Sequence, residues 1–199
     1  MISPASPVYY ARTHWAIERM LSEPAFDALK WTSLRPNLFG PMFLGTTAEA
    51  IKAHRTTGKL GPFKMLFAAE SGPVAVIDPS DVGIAAGKLL ALADPSLHAS
   101  QFYTLNGPED VTGKDVVAEA ERLTGTKATG VEYEDTTWIE FMASASAPAK
   151  TISTLRTVTK LLLTGKSGLA LSKPTSQAIL ELAPPKRTFR DSLADMVAE

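Results

Sequence analysis

The stretch FYTLNGPEDVTGKDVVAEAERLTG, residues 102–125, indicates the fold most clearly. Its first five residues, 102–106, have the aromatic and β-branched character of a strand, which Gly107-Pro108 ends. Thr112 then predicts a helix N-cap, with Asp115 at the third helical position as an imperfect capping box. The buried face of that helix is predicted from four apolar residues at helical spacing: Val116, Val117, Ala120 and Leu123. Together these features indicate a strand–turn–helix unit.

The segments before this unit also alternate between strand and helix. The predicted order is a helix at 11–23, a strand at 30–39, a helix at 42–57, strands at 63–68 and 73–78, and a helix capped by Asp81. After a short strand at 130–135, the chain is mostly helical. Such alternation predicts an α/β fold with parallel strands. We therefore interpret residues 1–125 as an α/β part and residues 126–199 as a mainly helical section.

Composition and charge disfavour several functional classes. The 20 basic and 21 acidic residues give a formal net charge of −1, which provides no global attraction to nucleic acid or to an anionic membrane. The absence of cysteine excludes disulfides, thiolate catalysis and cysteine-ligated zinc. The three histidines are scattered, so we expect no metal site. No signal-like run and no stretch approaching ~20 apolar residues is present, so we expect a soluble, cytoplasmic protein.

Four strings then point to a family. They are WTSLRPNLF at 31–39, VIDPSDVG at 76–83, FYTLNGPEDVT at 102–112 and PPKRTFRDSL at 184–193. In this order and spacing they resemble the NmrA-like branch of the atypical short-chain dehydrogenase/reductases, and they match only the C-terminal portion of that family. The resemblance implies a partial Rossmann-like α/β fold: a doubly wound, mostly parallel sheet that lacks its N-terminal dinucleotide-binding half, followed by a helical substrate-side section.

The glycines argue against the family's usual cofactor loop. No two of the 13 glycines are separated by a single residue, so the G-x-G-x-x-G fingerprint is absent from these 199 residues. We therefore expect the chain to be truncated, to bind no NAD(P) and to have no dehydrogenase activity. The alternative is an NAD(P)H-dependent oxidoreductase, if the true chain includes the missing half. Without the missing half, the strand at 31–36 would be an edge of the sheet, so we also expect marginal stability.

The resemblance also implies candidate site residues. Tyr10 and His14 align with the family's Tyr-x-x-x-Lys pair, in which the tyrosine donates a proton to a carbonyl and the lysine activates it. The family's lysine lowers the pKa of the tyrosine and also binds the nicotinamide ribose; histidine is shorter and largely neutral at pH 7, so both roles would weaken. The alternative is that both are half-buried helix residues without chemistry. At the nicotinamide and substrate end of the cleft, the resemblance places Arg35, Pro36, Asn37 and Phe39.

A basic segment near the C-terminus suggests a different function. Residues 150–173 contain no acid and five basic side chains: Lys150, Arg156, Lys160, Lys166 and Lys173. A non-enzymatic, redox-sensing or partner-binding regulator could dock a protein partner through a basic helix at 150–166. The simpler interpretation is a helix that packs on its own domain and keeps its basic side in water. The sequence identifies no substrate.

Overall fold

The computed structural model describes residues 2–65 and 67–198. Within these residues the chain forms eight α-helices and four β-strands. The helices are α1 (Tyr9–Leu21), α2 (Gly40–Thr57), α3 (Pro79–Leu90), α4 (Gly113–Thr124), α5 (Thr137–Ser144), α6 (Ala149–Leu163), α7 (Gln177–Leu182) and α8 (Phe189–Ala198). The strands are β1 (Thr32–Pro36), β2 (Phe63–Met65), β3 (Gln101–Leu105) and β4 (Val131–Tyr133).

The four strands form two parallel pairs, which confirms the prediction of an α/β fold with parallel strands. β1 pairs with β3 over five residues, with Thr32 opposite Gln101 and Pro36 opposite Leu105. β2 pairs with β4 over three residues. The predicted single, doubly wound sheet is therefore seen as two short ladders within the described residues.

The two outer edges of the β1–β3 pair differ. On the β3 side, the N–H of Ser176 donates to the carbonyl of Thr104 at 2.9 Å, so the segment before α7 covers that edge. On the β1 side, no strand of the described chain pairs with the edge. The N–H of Asn37 donates to the carbonyl of Leu105 in β3. Because the backbone polar groups of successive residues point to opposite edges of a strand, those of Leu34 and Pro36 point to the open edge. Pro36 has no N–H, but because it faces the open edge the β1–β3 ladder loses no hydrogen bond.

The prediction for the start of α3 was wrong by three residues. Asp78, not Asp81, is the N-cap, and its carboxylate accepts the N–H of Ser80 at 2.7 Å. Asp81 lies in the first turn, where it is buried and accepts the N–H groups of Lys186 and Arg187, each at 2.9 Å. The acid predicted to cap the helix therefore holds the C-terminal segment instead.

The predicted strands at 63–68 and 73–78 were too long. β2 ends at Met65, and residue 66 lies outside the described part of the chain. In the second segment, Val74 and Ile77 form only isolated bridges. Both segments are nonetheless largely buried, because apolar runs report burial more directly than they report a hydrogen-bonded ladder.

The strand–turn–helix unit at 101–125 is confirmed, except that Leu123, predicted on the buried face of the helix, is 42% exposed. Thr112 accepts the N–H of Asp115 at 3.2 Å, and the Asp115 carboxylate accepts the N–H of Thr112 at 2.9 Å, which completes a capping box. Gly107, in the turn after β3, lies against the 74–77 segment so closely that a Cβ there would be 1.7 Å from the carbonyl oxygen of Val76. Only glycine permits this approach of two backbones.

Two apolar clusters form the core. The first joins α2, α4 and α8 to β2, with Leu44, Phe63 and Val116 among its fully buried members. The second joins β3 to α3 and α7 and contains Leu105 and Ile179. Because α8 packs on α2, the end of the chain stabilises a helix that follows β1 directly.

Candidate functional site

An ion pair anchors α1, the helix that carries Tyr10 and His14, to β1. The Glu18 carboxylate accepts two hydrogen bonds from Arg35, at 2.9 Å from Nε and 2.6 Å from Nη2, and a third from Ser33 Oγ at 2.6 Å. Only 5% of Glu18 is exposed. Burial alone would raise the pKa of Glu18, but the hydrogen bonds from Arg35 and Ser33 and the charge of Arg35 lower it overall. The charged acid thus fixes the position of α1 on the sheet.

Tyr10 and His14 contact each other one turn apart on α1. Their ring centroids lie 4.2 Å apart and the rings are inclined by 64°, an edge-on arrangement. Tyr10 is 58% exposed, so it is a surface residue and not a half-buried one. The aligned pair is therefore brought together on a face that solvent reaches. Its catalytic role remains a prediction.

Asn37 and Asn106 join the carboxyl ends of β1 and β3. The Asn37 side-chain N–H groups donate to Asn106 Oδ1 and to the carbonyl of Ser167, both at 2.9 Å. The Asn37 oxygen accepts the N–H of Leu38 at 2.8 Å. Asn106 is almost fully buried and donates to the carbonyl of Lys173. Both Asn37 donors are thus used within the protein, which favours a structural role for this predicted cofactor-binding residue.

The other residues predicted for the nicotinamide end also make intramolecular contacts. Arg35 is held by Glu18, and its guanidinium lies over the Phe102 ring, 4.4 Å from the centroid. Pro36 ends β1, and Phe39 precedes α2 and packs against the second apolar cluster. Arg35 and Pro36 thus lie at the carboxyl end of β1, and Asn37 and Phe39 lie in the turn that follows it. Contact of these residues with a ligand remains a prediction.

Glu18 is the residue of this region that sequence reasoning undervalued. It is not among the candidate residues predicted from the sequence, whereas it is the buried acid that fixes α1. The available signal was the alternation of Ser33 and Arg35 on β1, since polar side chains two residues apart point to the same face of a strand.

The basic helix α6 packs against its own domain. Ile152 and Leu162 are buried, Arg156 pairs with Glu140 at 2.8 Å, and the Lys150 ammonium lies 4.9 Å from the centroid of the Tyr9 ring. Two of its charges are therefore engaged within the molecule, and its use as a docking surface remains a prediction.

The described residues offer neither a cluster of metal ligands nor a membrane-spanning helix. Across 2–65 and 67–198, no three side chains of the His, Asp and Glu type cluster as a metal ion would require. Over the same ranges, no helix combines the length and the apolar character needed to cross a membrane.

Comparison with known proteins shows a likeness of fold to solved structures. No family model and no curated protein matches the chain. An NADPH-dependent quinone oxidoreductase of Escherichia coli matches 96% of this chain with a TM-score of 0.65 and 21% identity. Triphenylmethane reductase of Citrobacter sp., solved with NADP(H), and a nucleoside-diphosphate-sugar epimerase of Staphylococcus aureus each match 96% at 17% identity, with TM-scores of 0.62 and 0.60.

The match extends over only part of each solved protein. The chain spans 63% of the quinone oxidoreductase and 60% of each of the other two. At these identities the likeness concerns the fold. The chain is therefore similar in fold to NADPH-dependent and NADP(H)-binding reductases, over about three fifths of their length.

Proposed function

We propose that residues 1–199 form the substrate-side portion of an NmrA-like, NAD(P)H-dependent oxidoreductase of the short-chain dehydrogenase/reductase type. The observation that carries this proposal is the fold match over 96% of the chain to reductases described as NADPH-dependent or NADP(H)-bound. The order of the four family-like strings supports the finer assignment to the NmrA-like branch.

The proposal assigns Tyr10 to proton donation. Its hydroxyl is carried on an exposed face of α1, whose position is fixed by the Glu18–Arg35 pair. A phenol held on a rigid helix can donate a proton to a substrate carbonyl that approaches from solvent. His14 contacts the Tyr10 ring edge-on, and no hydrogen bond joins the two side chains. His14 therefore positions the ring and does not replace a lysine's activating role.

The residues of these 199 positions do not fit a dinucleotide. The pyrophosphate of such a cofactor requires closely spaced glycines at a helix N-terminus, and the sequence has no G-x-G-x-x-G. Of the predicted nicotinamide-side residues, Arg35 is bound to Glu18, and Asn37 uses both of its amide N–H groups internally. We therefore propose that residues 1–199 alone neither bind NAD(P) nor reduce a substrate.

An activity assay tests this proposal. The purified 199-residue chain is incubated with NADPH and either a quinone or a triphenylmethane dye, and loss of NADPH absorbance is followed. The Escherichia coli quinone oxidoreductase, which has the same fold over the shared length, is the positive control. We expect the chain to consume NADPH no faster than buffer does.

A matched pair of variants decides the interpretation if turnover occurs. Tyr10→Phe removes the proposed proton donor, and Tyr9→Phe removes the hydroxyl of the adjacent tyrosine. NADPH oxidation that Tyr10→Phe abolishes and Tyr9→Phe leaves intact would make this chain an enzyme in its own right. That result would contradict the proposed inactivity while supporting the role of Tyr10.

A further inference from the structure

A groove beside β3 shares only Arg35 with the residues that align with the family's active site. It has a volume of about 650 Å³. This falls in the range of ~300–1,000 Å³ that is usual for small-molecule sites. One wall is the face of the β1–β3 pair that carries Arg35 and Phe102, and the other is the segment that covers the outer edge of β3. The lining residues on that second wall run from Lys173 to Gln177 and include Leu180. We propose that this groove binds planar organic anions of the aromatic carboxylate class.

The polar part of the groove is rich in hydrogen-bond donors. Ser176 Oγ accepts the backbone N–H of Thr104 at 2.9 Å, and Thr175 Oγ1 accepts the backbone N–H of Asn106 at 3.0 Å. Each hydroxyl is thereby held in place by an N–H, and each retains its own proton to donate to a ligand. The two hydroxyls therefore offer hydrogen-bond donors to the carboxylate of a ligand in the groove.

The groove also carries a positive charge, which favours an anionic ligand. Lys173 adds an exposed ammonium, and among residues 2–65 and 67–198 no carboxylate forms a salt bridge with it. Arg35 contributes a guanidinium whose charge is balanced by Glu18. Of the residues that the structure describes, no acid lines the groove, and the nearby Glu181 accepts a hydrogen bond from Gln177. The uncompensated charge is therefore positive and favours an anion.

The remaining surface of the groove is apolar and aromatic. Phe102 is 41% exposed, with Arg35 stacked over its ring and Trp31 edge-on at 5.2 Å between centroids. These two contacts hold the ring in one orientation. Pro174 and Leu180 add aliphatic surface. A fixed aromatic ring beside aliphatic carbon suits a planar apolar body, which distinguishes this ligand class from inorganic phosphate or sulfate.

Calorimetric titration with 1-naphthoate and its uncharged isostere 1-naphthamide tests the proposal on the unmodified 199-residue chain. We expect 1-naphthoate to bind up to about fivefold more tightly than the amide, since a surface charge contact contributes up to ~1 kcal/mol. We expect the preference to decrease as salt is added, because the contact is exposed. Equal affinities for the two compounds, or no heat with 1-naphthoate at millimolar concentration, would overturn the proposal.

A pair of lysine variants locates the site. Lys173→Gln removes the charge from the groove, and Lys160→Gln removes an exposed charge from α6, outside it. Both side chains are exposed, so neither change is expected to affect folding. Lys173→Gln should weaken 1-naphthoate binding about fivefold and leave 1-naphthamide unchanged. An unaltered 1-naphthoate affinity in Lys173→Gln, or an equal loss in Lys160→Gln, would place the anion elsewhere and refute the assignment.

Discussion

Asp78 joins the start of α3 to the C-terminal segment, and its replacement by asparagine is the sharpest stability test that this structure offers. Its carboxylate accepts hydrogen bonds from Ser192 Oγ at 2.6 Å and from the N–H of Ser80 at 2.7 Å, and it pairs with Arg187 Nε at 2.9 Å. The side chain is 7% exposed, so solvent screens these contacts little. Asp78→Asn keeps the shape of the group and removes its charge.

The pKa of Asp78 sets the expected magnitude. Burial by itself would raise this pKa, but the hydrogen bonds from Ser192 and Ser80 and the ion pair with Arg187 outweigh burial and lower it from 3.8 to about 2. Since each pKa unit corresponds to ~1.4 kcal/mol, the ionised carboxylate contributes about 2 kcal/mol to the free energy of unfolding. We expect Asp78→Asn to lose about this amount at pH 7.

The sign of the pH dependence follows from the lowered pKa. A group whose pKa is lower in the folded than in the unfolded state stabilises the fold above its unfolded pKa, here 3.8, and loses that contribution as the pH falls toward 2. About half of the Asp78 contribution should be lost by pH 3. The difference between the wild-type chain and Asp78→Asn should therefore be largest above pH 5 and shrink on acidification.

Urea unfolding followed by circular dichroism at pH 7, 5 and 3 measures these values. Asp27→Asn is the matched control, because Asp27 is exposed and no side-chain partner of it is seen in the described structure. We expect it to change the free energy of unfolding by less than about 0.5 kcal/mol. A similarly small effect of Asp78→Asn at pH 7, or a loss that stays constant down to pH 3, would refute the reasoning.

The same unfolding assay tests three further contacts: the packing of Gly107, the Glu18–Arg35 ion pair and the Thr112 cap. Gly107→Ala should cost at least about 3 kcal/mol, because its Cβ would meet the carbonyl of Val76 at 1.7 Å; a soluble variant of wild-type stability would contradict that packing. Arg35→Gln should cost about 3 kcal/mol and exceed the loss in Glu18→Gln, since it leaves a buried acid unpaired while Arg35 reaches solvent; the reverse order would count against the anchor. Thr112→Ala should cost about 1 kcal/mol through loss of the capping box, and no loss would exclude the cap.

Local patterns predicted much of the secondary structure. The strand, the turn and the capping box at 101–125 follow from contacts within a few residues of each other, so spacing alone indicates them. The pairing of β1 with β3 agrees with the parallel arrangement expected of alternating strands and helices. A signal for the cap of α3 was also present, because Pro79 favours the first helical position and thus places the N-cap at Asp78.

Long-range contacts were beyond prediction from spacing. Asp81 accepts N–H groups from Lys186 and Arg187, more than a hundred residues along the chain, so nothing near Asp81 indicates that partner. The segments at 63–68 and 73–78 have the composition of strands, yet their backbone groups find few ladder partners in the described chain. Apolar composition specified that they are buried, while neighbouring segments decided their hydrogen bonding.

The sequence predicted the elements that carry the candidate residues, while the function of these residues stays a prediction. The alignment placed Tyr10 and His14 on one helix, and the structure shows their rings in contact. The engagement of Arg35 by Glu18 and of Asn37 by Asn106 depends on tertiary packing, which no single motif reports. These contacts use the donors that the alignment would have assigned to a cofactor.

A titration of NADPH fluorescence with the purified 199-residue chain shows whether these residues bind the dinucleotide. We propose that these residues have the fold of an NADPH-dependent reductase without the elements that hold the dinucleotide. We predict that the emission stays that of free NADPH at micromolar protein, while the Escherichia coli quinone oxidoreductase in the same buffer gives saturation. A saturable change with a micromolar dissociation constant, reversed by excess NADP, would contradict the claim.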